Sequence, residues 1–187
     1  STSNCNSRHS ASPTSSFIIT RTAPPVFVYL MELAKRHDYD GSFIAKESPF
    51  MVQDTLFNAT LIRSNEALIQ VGTALGLDVK QVEEWQGQSK RQFDEKLWVE
   101  ELGLYAPYDL RNERHIGMKE IGGFTALYAQ IPNDQRARLI EEQVLHIAQS
   151  PDAYRVMPSF DPEHPVFDGR RYWKGPIWPQ MNWLLYQ

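Results

Sequence analysis

The chain has 187 residues, 42% of them hydrophobic and 22% charged, with a formal net charge of -4. That length suffices for one domain with a real core, while the mildly acidic balance and the lack of any basic cluster exclude a general attraction to nucleic acid or anionic membrane. No apolar run reaches the roughly 18–20 residues of a membrane span, and the single cysteine, Cys5, permits no intrachain disulfide, which suits a reducing compartment such as the cytoplasm.

Residues 1–16 are rich in Ser, Thr and Asn and lack the apolar stretch of a signal peptide, so they read as a disordered tail. Residues 17–187 read as one domain. A helical pattern begins at Pro25, where Pro24 and Pro25 suit a helix start, and Val26, Tyr29, Leu30 and Leu33 share a face. It stops near Asp40-Gly41. A longer helix is predicted from about Pro49 to Leu75, with Leu56, Phe57, Leu61, Ala67, Leu68 and Val71 close to a 3.6 period and Gly76 as its C′ residue. The next begins at Asp78, a capping residue with Gln81 in capping-box position, and continues through Val82, Trp85 and Phe93 toward Trp98. Two helices joined by so short a turn lie antiparallel as an αα-hairpin.

Between Leu97 and Ile121 the helical period breaks down, and Gly103-Leu104-Tyr105-Ala106-Pro107-Tyr108-Asp109-Leu110 suits short strands or an ordered loop. Another helix is predicted over Asn133–Gln149. The Pro- and aromatic-rich stretch from Ser150 to Pro179 reads as a long loop, and a loop of that length in a compact domain is usually functional. A last helix opens at Pro179 and reaches Gln187 without a C-cap, which suggests a chain that ends within an element.

Most charge-bearing clusters have ordinary explanations. Glu83-Glu84, Glu100-Glu101 and Glu141-Glu142 are neighbours that point in different directions on a helix, so they read as solvated faces rather than acid/base pairs. Asp38-Tyr39-Asp40-Gly41 with Phe43 and Glu47 imitates a calcium loop, but Arg36 stands where its first carboxylate ligand belongs. The five histidines show no metal-ligand spacing. Asp54 and Asn58, four apart, are polar groups that either serve a pocket or form a satisfied network between hairpins.

The strongest signal is Arg171-Tyr172-Trp173-Lys174-Gly175-Pro176-Ile177-Trp178-Pro179-Gln180-Met181-Asn182-Trp183. A Gly-Pro turn there lets two indoles and a phenol converge, while Lys174 and the Asn182 amide supply donors. Apolar faces with a few placed polar groups are what a carbohydrate pocket needs; a loop that plugs a helical core is the other reading of the same cluster.

This segment resembles the Tyr-Trp-Arg-Gly-Pro-(Ile/Val)-Trp-x-x-x-Asn-Trp-Leu signature of glycoside hydrolase family sixty-three and its relatives, among them mannosylglycerate and glucosylglycerate hydrolases and processing α-glucosidases. The likeness extends upstream. Asp54-Thr55-Leu56-Phe57-Asn58-Ala59 is similar to the family's Asp-x-x-Phe-Asn-Ala helix, and Lys96-Leu97-Trp98 with Gly103-Leu104-Tyr105 is similar to its Leu-Trp-Asp-Glu-x-x-Gly-x-(Tyr/Phe) stretch.

The resemblance implies an all-α fold, part of an (α/α)6 toroid of helical hairpins with a short β-like excursion near 97–121, and an inverting hydrolase of α-glucosides or α-mannosides such as glucosylglycerate and mannosylglycerate. Inversion uses a carboxylic acid and a carboxylate about 6.5–9.5 Å apart and needs no cofactor or metal. The family places its acid in an Asp-Asn-Ser-Pro context and its base in a Glu after the Asn-Trp-Leu helix. Neither motif occurs here, so no catalytic residue is assigned, and the chain by itself is expected to supply part of the sugar-binding pocket and to lack turnover. The substrate-binding role carries over to Tyr172, Trp173, Lys174, Trp178 and Asn182, with Lys174 in place of an arginine whose planar fork it lacks. A non-catalytic helical-hairpin module, binding a peptide or glycan through the same aromatic loop, is the alternative.

Overall fold

A computed structural model describes residues 15–149 and 156–187, with side chains from 25 onward. The disordered-tail expectation for residues 1–16, with Cys5, and the first part of the predicted long loop thus fall almost entirely outside the described residues. The chain divides into two compact units, up to Met51 and from Val52 onward.

The first unit holds α1 (Ser15–Arg36) and α2 (Gly41–Glu47). Contrary to the expected start at Pro25, α1 runs through both prolines; their fixed φ is compatible with a helix, although each lacks the N–H for a bond to the preceding turn. Leu30 and Leu33 are half-buried, whereas Val26, Phe27 and Met31 face solvent. Asp38 and Tyr39 adopt positive φ in the turn that follows, and His37 stacks on Phe43 with ring centroids 3.4 Å apart. The Asp40 carboxylate caps α2 by accepting from Ser42 N at 2.8 Å, which gives the apparent calcium-loop carboxylate a structural task.

The second unit contains β1 (Val52–Gln53), α3 (Thr55–Ala74), α4 (Lys80–Leu97), β2 (Trp98–Val99), β3 (Leu104–Tyr105), β4 (Tyr108–Asp109), β5 (Arg114–His115), α5 (Ile121–Tyr128), α6 (Asp134–Gln149) and α7 (Pro179–Leu185). The single helix expected over Pro49–Leu75 is therefore a strand followed by a shorter helix. Asp54 is the reason: its carboxylate accepts from Phe57 N at 2.7 Å and caps α3, while Asn58 Nδ2 donates to the Asp54 carbonyl. The polar pair at 54 and 58 is thus a helix start. Gly76, with φ 70°, closes α3 as expected. The α4 cap lies one residue later than predicted, at Val79, with Asp78 Oδ1 accepting from Lys80 N at 3.1 Å.

The predicted inward face of α3 is also reversed. Phe57, Leu61, Leu68 and Val71 are exposed, and an open groove of about 400 Å3 runs beside Leu56, Phe57 and Leu61. The side that packs against α4 and α5 carries Thr55, Ala59, Ile62 and Gly72. Small residues permit the close approach: a Cβ on Gly72 would stand 2.4 Å from Val79 Cγ1.

The β-like excursion takes the form of two small antiparallel sheets, β1-β4-β5 and β2-β3. Trp98 pairs with Tyr105, and Tyr108 with both Gln53 and His115. Sequence periodicity does not reveal α5. Its first six residues are all buried, so no polar face marks it, and Gly123 is required because a Cβ there would meet the Tyr105 carbonyl oxygen at 2.2 Å. The core gathers Ala59, Ile62, Phe93, Leu97, Tyr105, Phe124 and Ile140 from α3, α4, β3, α5 and α6.

Candidate functional site

The starts of α3, α5 and α7 are bonded into one end of the second unit. Thr55 Oγ1, at the first residue of α3, donates to Glu120 Oε1 at 3.0 Å. Glu120 in turn caps α5 by accepting from Gly122 N at 2.9 Å. Burial pushes the Glu120 carboxyl above its ordinary range, and the neighbouring Asp54 charge adds to the rise, while the Gly122 and Thr55 donors oppose it. Sequence reading does not single out Glu120, and only the glycine pair that follows it hints at a crowded helix start.

From α5 the bonding continues into the aromatic loop. Ile121 N donates to the Ser159 carbonyl at 3.2 Å, Ser159 N donates to the Pro176 carbonyl at 3.0 Å, and the buried Ser159 hydroxyl accepts from Gly175 N at 3.0 Å. Isolated bridges pair Glu120 with Phe160 and Pro158 with Ile177. A Cβ on Gly175 would meet the Asp168 carbonyl at 2.8 Å, so the Gly-Pro bend is tight enough to demand glycine.

Around that bend the structure brings together the three predicted rings. Tyr172, Trp173 and Trp178 have centroids 5.2–5.8 Å apart; the two phenol–indole contacts are edge-on, and the indoles tilt by 32°. They touch without being sealed: Tyr172 is 70% exposed and Trp173 38%. A plug would bury these faces, so the loop presents a surface. Trp178 Nε1 is buried and has no partner among the described residues, a donor left over beside the rings. Tyr172 holds φ 24°, a region a bulky residue avoids at about 1–3 kcal/mol. The surrounding bonds, Lys174 N to Arg171 O at 2.7 Å and Asp168 N to Lys174 O at 2.8 Å, keep it there.

The polar candidates separate. Lys174 is half-buried with no acceptor for its ammonium among the described residues. Asn182 departs from expectation. It is 5% exposed, its Oδ1 accepts from Met157 N at 2.6 Å, and its Nδ2 donates to Met157 O at 2.8 Å and Trp178 O at 3.1 Å. With both amide hydrogens engaged it has no donor to offer a ligand; it ties the loop to α7. Pro179 opens α7 at its first turn, as read from the sequence.

Beside this end sits a second polar node. Asp94 Oδ1 accepts from the Tyr105 hydroxyl and from Arg136 Nη1, the latter at 2.6 Å, and the Arg136 guanidinium lies over the Trp98 ring at 4.6 Å. Among the described residues no group of His, Cys, Asp and Glu is placed to hold a metal, and no helix is long and apolar enough to cross a membrane.

Comparison with known proteins places this geometry. The chain is 35% identical to a mannosylglycerate hydrolase of Thermus thermophilus over 159 residues and 32% identical to one of Rubrobacter radiotolerans over 161. Both likenesses cover 85% of the chain, which spans 38% and 36% of those relatives' lengths. The crystal structure of a family sixty-three mannosylglycerate hydrolase from Thermus thermophilus, in complex with Tris, superposes with a TM-score of 0.79 at 35% identity, covering 84% of this chain and 38% of that one. The helical hairpins are part of an (α/α)6 toroid. The mannosylglycerate hydrolase MGH1-like glycoside hydrolase domain matches residues 12–187, and the chain belongs to that family.

Proposed function

We propose that this chain supplies the aromatic wall of a sugar subsite in an inverting glycoside hydrolase acting on α-mannosides or α-glucosides of the mannosylglycerate or glucosylglycerate type. The observation that carries the reading is the cluster of Tyr172, Trp173 and Trp178 around the Gly175–Pro176 bend, with Tyr172 and Trp173 exposed and Trp178 half-buried beneath them. The flat, solvent-open rings of Tyr172 and Trp173 suit the apolar face of a pyranose, and the half-buried Lys174 ammonium, which has no acceptor among the described residues, supplies donors for hydroxyl or carboxylate oxygens. Lys174 offers a point charge, so it selects an anionic aglycone such as glycerate by attraction rather than by bidentate geometry. The hydrolysis itself requires an acid and a base on opposite sides of the bond, and no residue described above is assigned to either task. The cytoplasm is the setting that a single cysteine suits.

The test is a titration with mannosylglycerate, followed by tryptophan fluorescence, on the chain and on its Trp173→Ala variant. Saturable quenching in the parent, weakened at least tenfold in the variant at unchanged thermal stability, is the expected result; about 1.4 kcal/mol of lost contact gives that factor. Equal affinity in both would remove the aromatic wall from the reading.

A further inference from the structure

The aromatic triad stands where it does because the loop that bears it is pinned from behind, and one side chain is central to that pinning. Ser159 is 1% exposed and lies between the start of α5 and the Gly-Pro bend. Its backbone is engaged on both sides, with Ile121 N on its carbonyl and the Pro176 carbonyl on its N–H. Its hydroxyl then takes Gly175 N at 3.0 Å, closing the contact at the residue that makes the turn. On the far side of the bend Asn182 grips Met157 by both of its polar atoms and also reaches the Trp178 carbonyl. Residues 157 and 159 of one strand-like segment thus hold both ends of the stretch from Gly175 to Trp178.

We propose that Ser159 is a positioning residue for the sugar subsite, setting through the Gly175 N–H where the Trp173 and Trp178 rings stand relative to the start of α5. The role rests on the sugar-wall reading given above, and the triad's placement can be measured without any sugar. Removing the hydroxyl leaves Gly175 N buried without an acceptor. The backbone bonds of Ser159 survive, so the bend loosens while the segment stays paired. Rings separated by 5.2 Å lose their register when the turn between them shifts by a fraction of that distance.

The chain labelled with 5-fluorotryptophan gives five 19F signals, one per tryptophan, assigned by single Trp→Phe replacements. In Ser159→Ala the signals of Trp173 and Trp178 are expected to move or broaden while those of Trp85 and Trp98 stay, and affinity for mannosylglycerate falls roughly tenfold. Thr125→Val is the matched control. Thr125 is as buried, and its hydroxyl donates to Gly122 O inside α5, so that variant is destabilised without moving the loop signals. Unmoved Trp173 and Trp178 signals in Ser159→Ala, or the same movement in Thr125→Val, overturn the proposal. If the parent chain shows no titration with mannosylglycerate, the sugar reading falls instead, and the ring signals still decide whether Ser159 sets the triad. Should Ser159→Ala fail to fold, Ser159→Cys, which keeps the side chain's shape with a somewhat larger atom and weakens the acceptor, replaces it: moved ring signals support the proposal and unmoved ones overturn it.

Discussion

Replacing Asp94 by alanine tests how the polar node beside the site supports α4, β3 and α6. Tyr105 is buried to 1% exposure, and its hydroxyl has Asp94 Oδ1 as its acceptor. Burial already pushes that hydroxyl's ionisation above its ordinary range, so it stays a neutral donor that must find a partner. Asp94→Ala leaves it orphaned, at about 1–3 kcal/mol. The same change removes the carboxylate partner of Arg136, which keeps its bond to the Asp94 carbonyl at 3.0 Å and whose side chain is 25% exposed and can turn to water, adding at most about 1 kcal/mol. The sum is about 1–4 kcal/mol. Tyr105→Phe removes the orphan before it can form and leaves the Asp94–Arg136 pair standing, so it is expected to lose about 1–2 kcal/mol. The double variant should then be more stable than the sum of the single losses predicts, with a coupling of about 1–2 kcal/mol. Urea titrations read this as shifts of midpoint at constant slope. Additivity of the two single variants within about 0.5 kcal/mol would refute the reasoning, since it would mean that the hydroxyl and the carboxylate do not depend on each other.

Gly123→Ala forces a methyl group to within 2.2 Å of the Tyr105 carbonyl and 3.1 Å of Leu104, so α5 must lift from β3; a loss of about 1–3 kcal/mol is expected, measured as a lowered unfolding midpoint. An unchanged midpoint would show that α5 and β3 are not in contact. Glu120 carries a pH signature. Its carboxyl is raised above an ordinary 4.5 in the folded chain, so the folded state holds the proton more tightly than the unfolded state. Stability is then greatest below that ordinary value and declines as pH climbs through the raised one. Glu120→Gln, which keeps an acceptor for Gly122 N without the charge, should gain on the parent across that window in unfolding titrations at pH 4 and pH 7. A parent that instead gains on the variant as pH rises would contradict the assigned direction.

How much of this is visible in the sequence follows from what each element has to advertise. The aromatic loop, the excursion between Leu97 and Ile121, α6 and the Pro179 helix start all leave local marks: rings around Gly-Pro, a lost period, a regular polar face, a proline at the first turn. The helix α5 leaves none, because six consecutive buried residues contain no contrast for periodicity to detect. Periodicity misreads the inward face of α3 for a related reason. Close packing there is made by Thr55, Ala59 and Gly72, whereas the large apolar side chains that dominate a hydrophobicity pattern lie on the uncovered side. At the site, the three rings are brought together as their composition suggests, while the Asn182 amide is bonded to the backbone of Met157 and Trp178. Ser159 is invisible beforehand, because a lone serine in a proline-rich loop has no signature until its neighbours from α5 and the bend are known.

The loop's anchorage leaves part of its length unburdened. Between Pro162 and Phe167 the backbone bonds are local, such as Phe167 N to His164 O at 2.8 Å and Glu163 N to the Asp161 carboxylate at 2.9 Å. Lengthening a surface excursion is cheap, each doubling adding only about 0.6 kcal/mol of closure entropy. This short arc is therefore where descendants of the protein are free to gain residues while the scaffold beneath stays as it is.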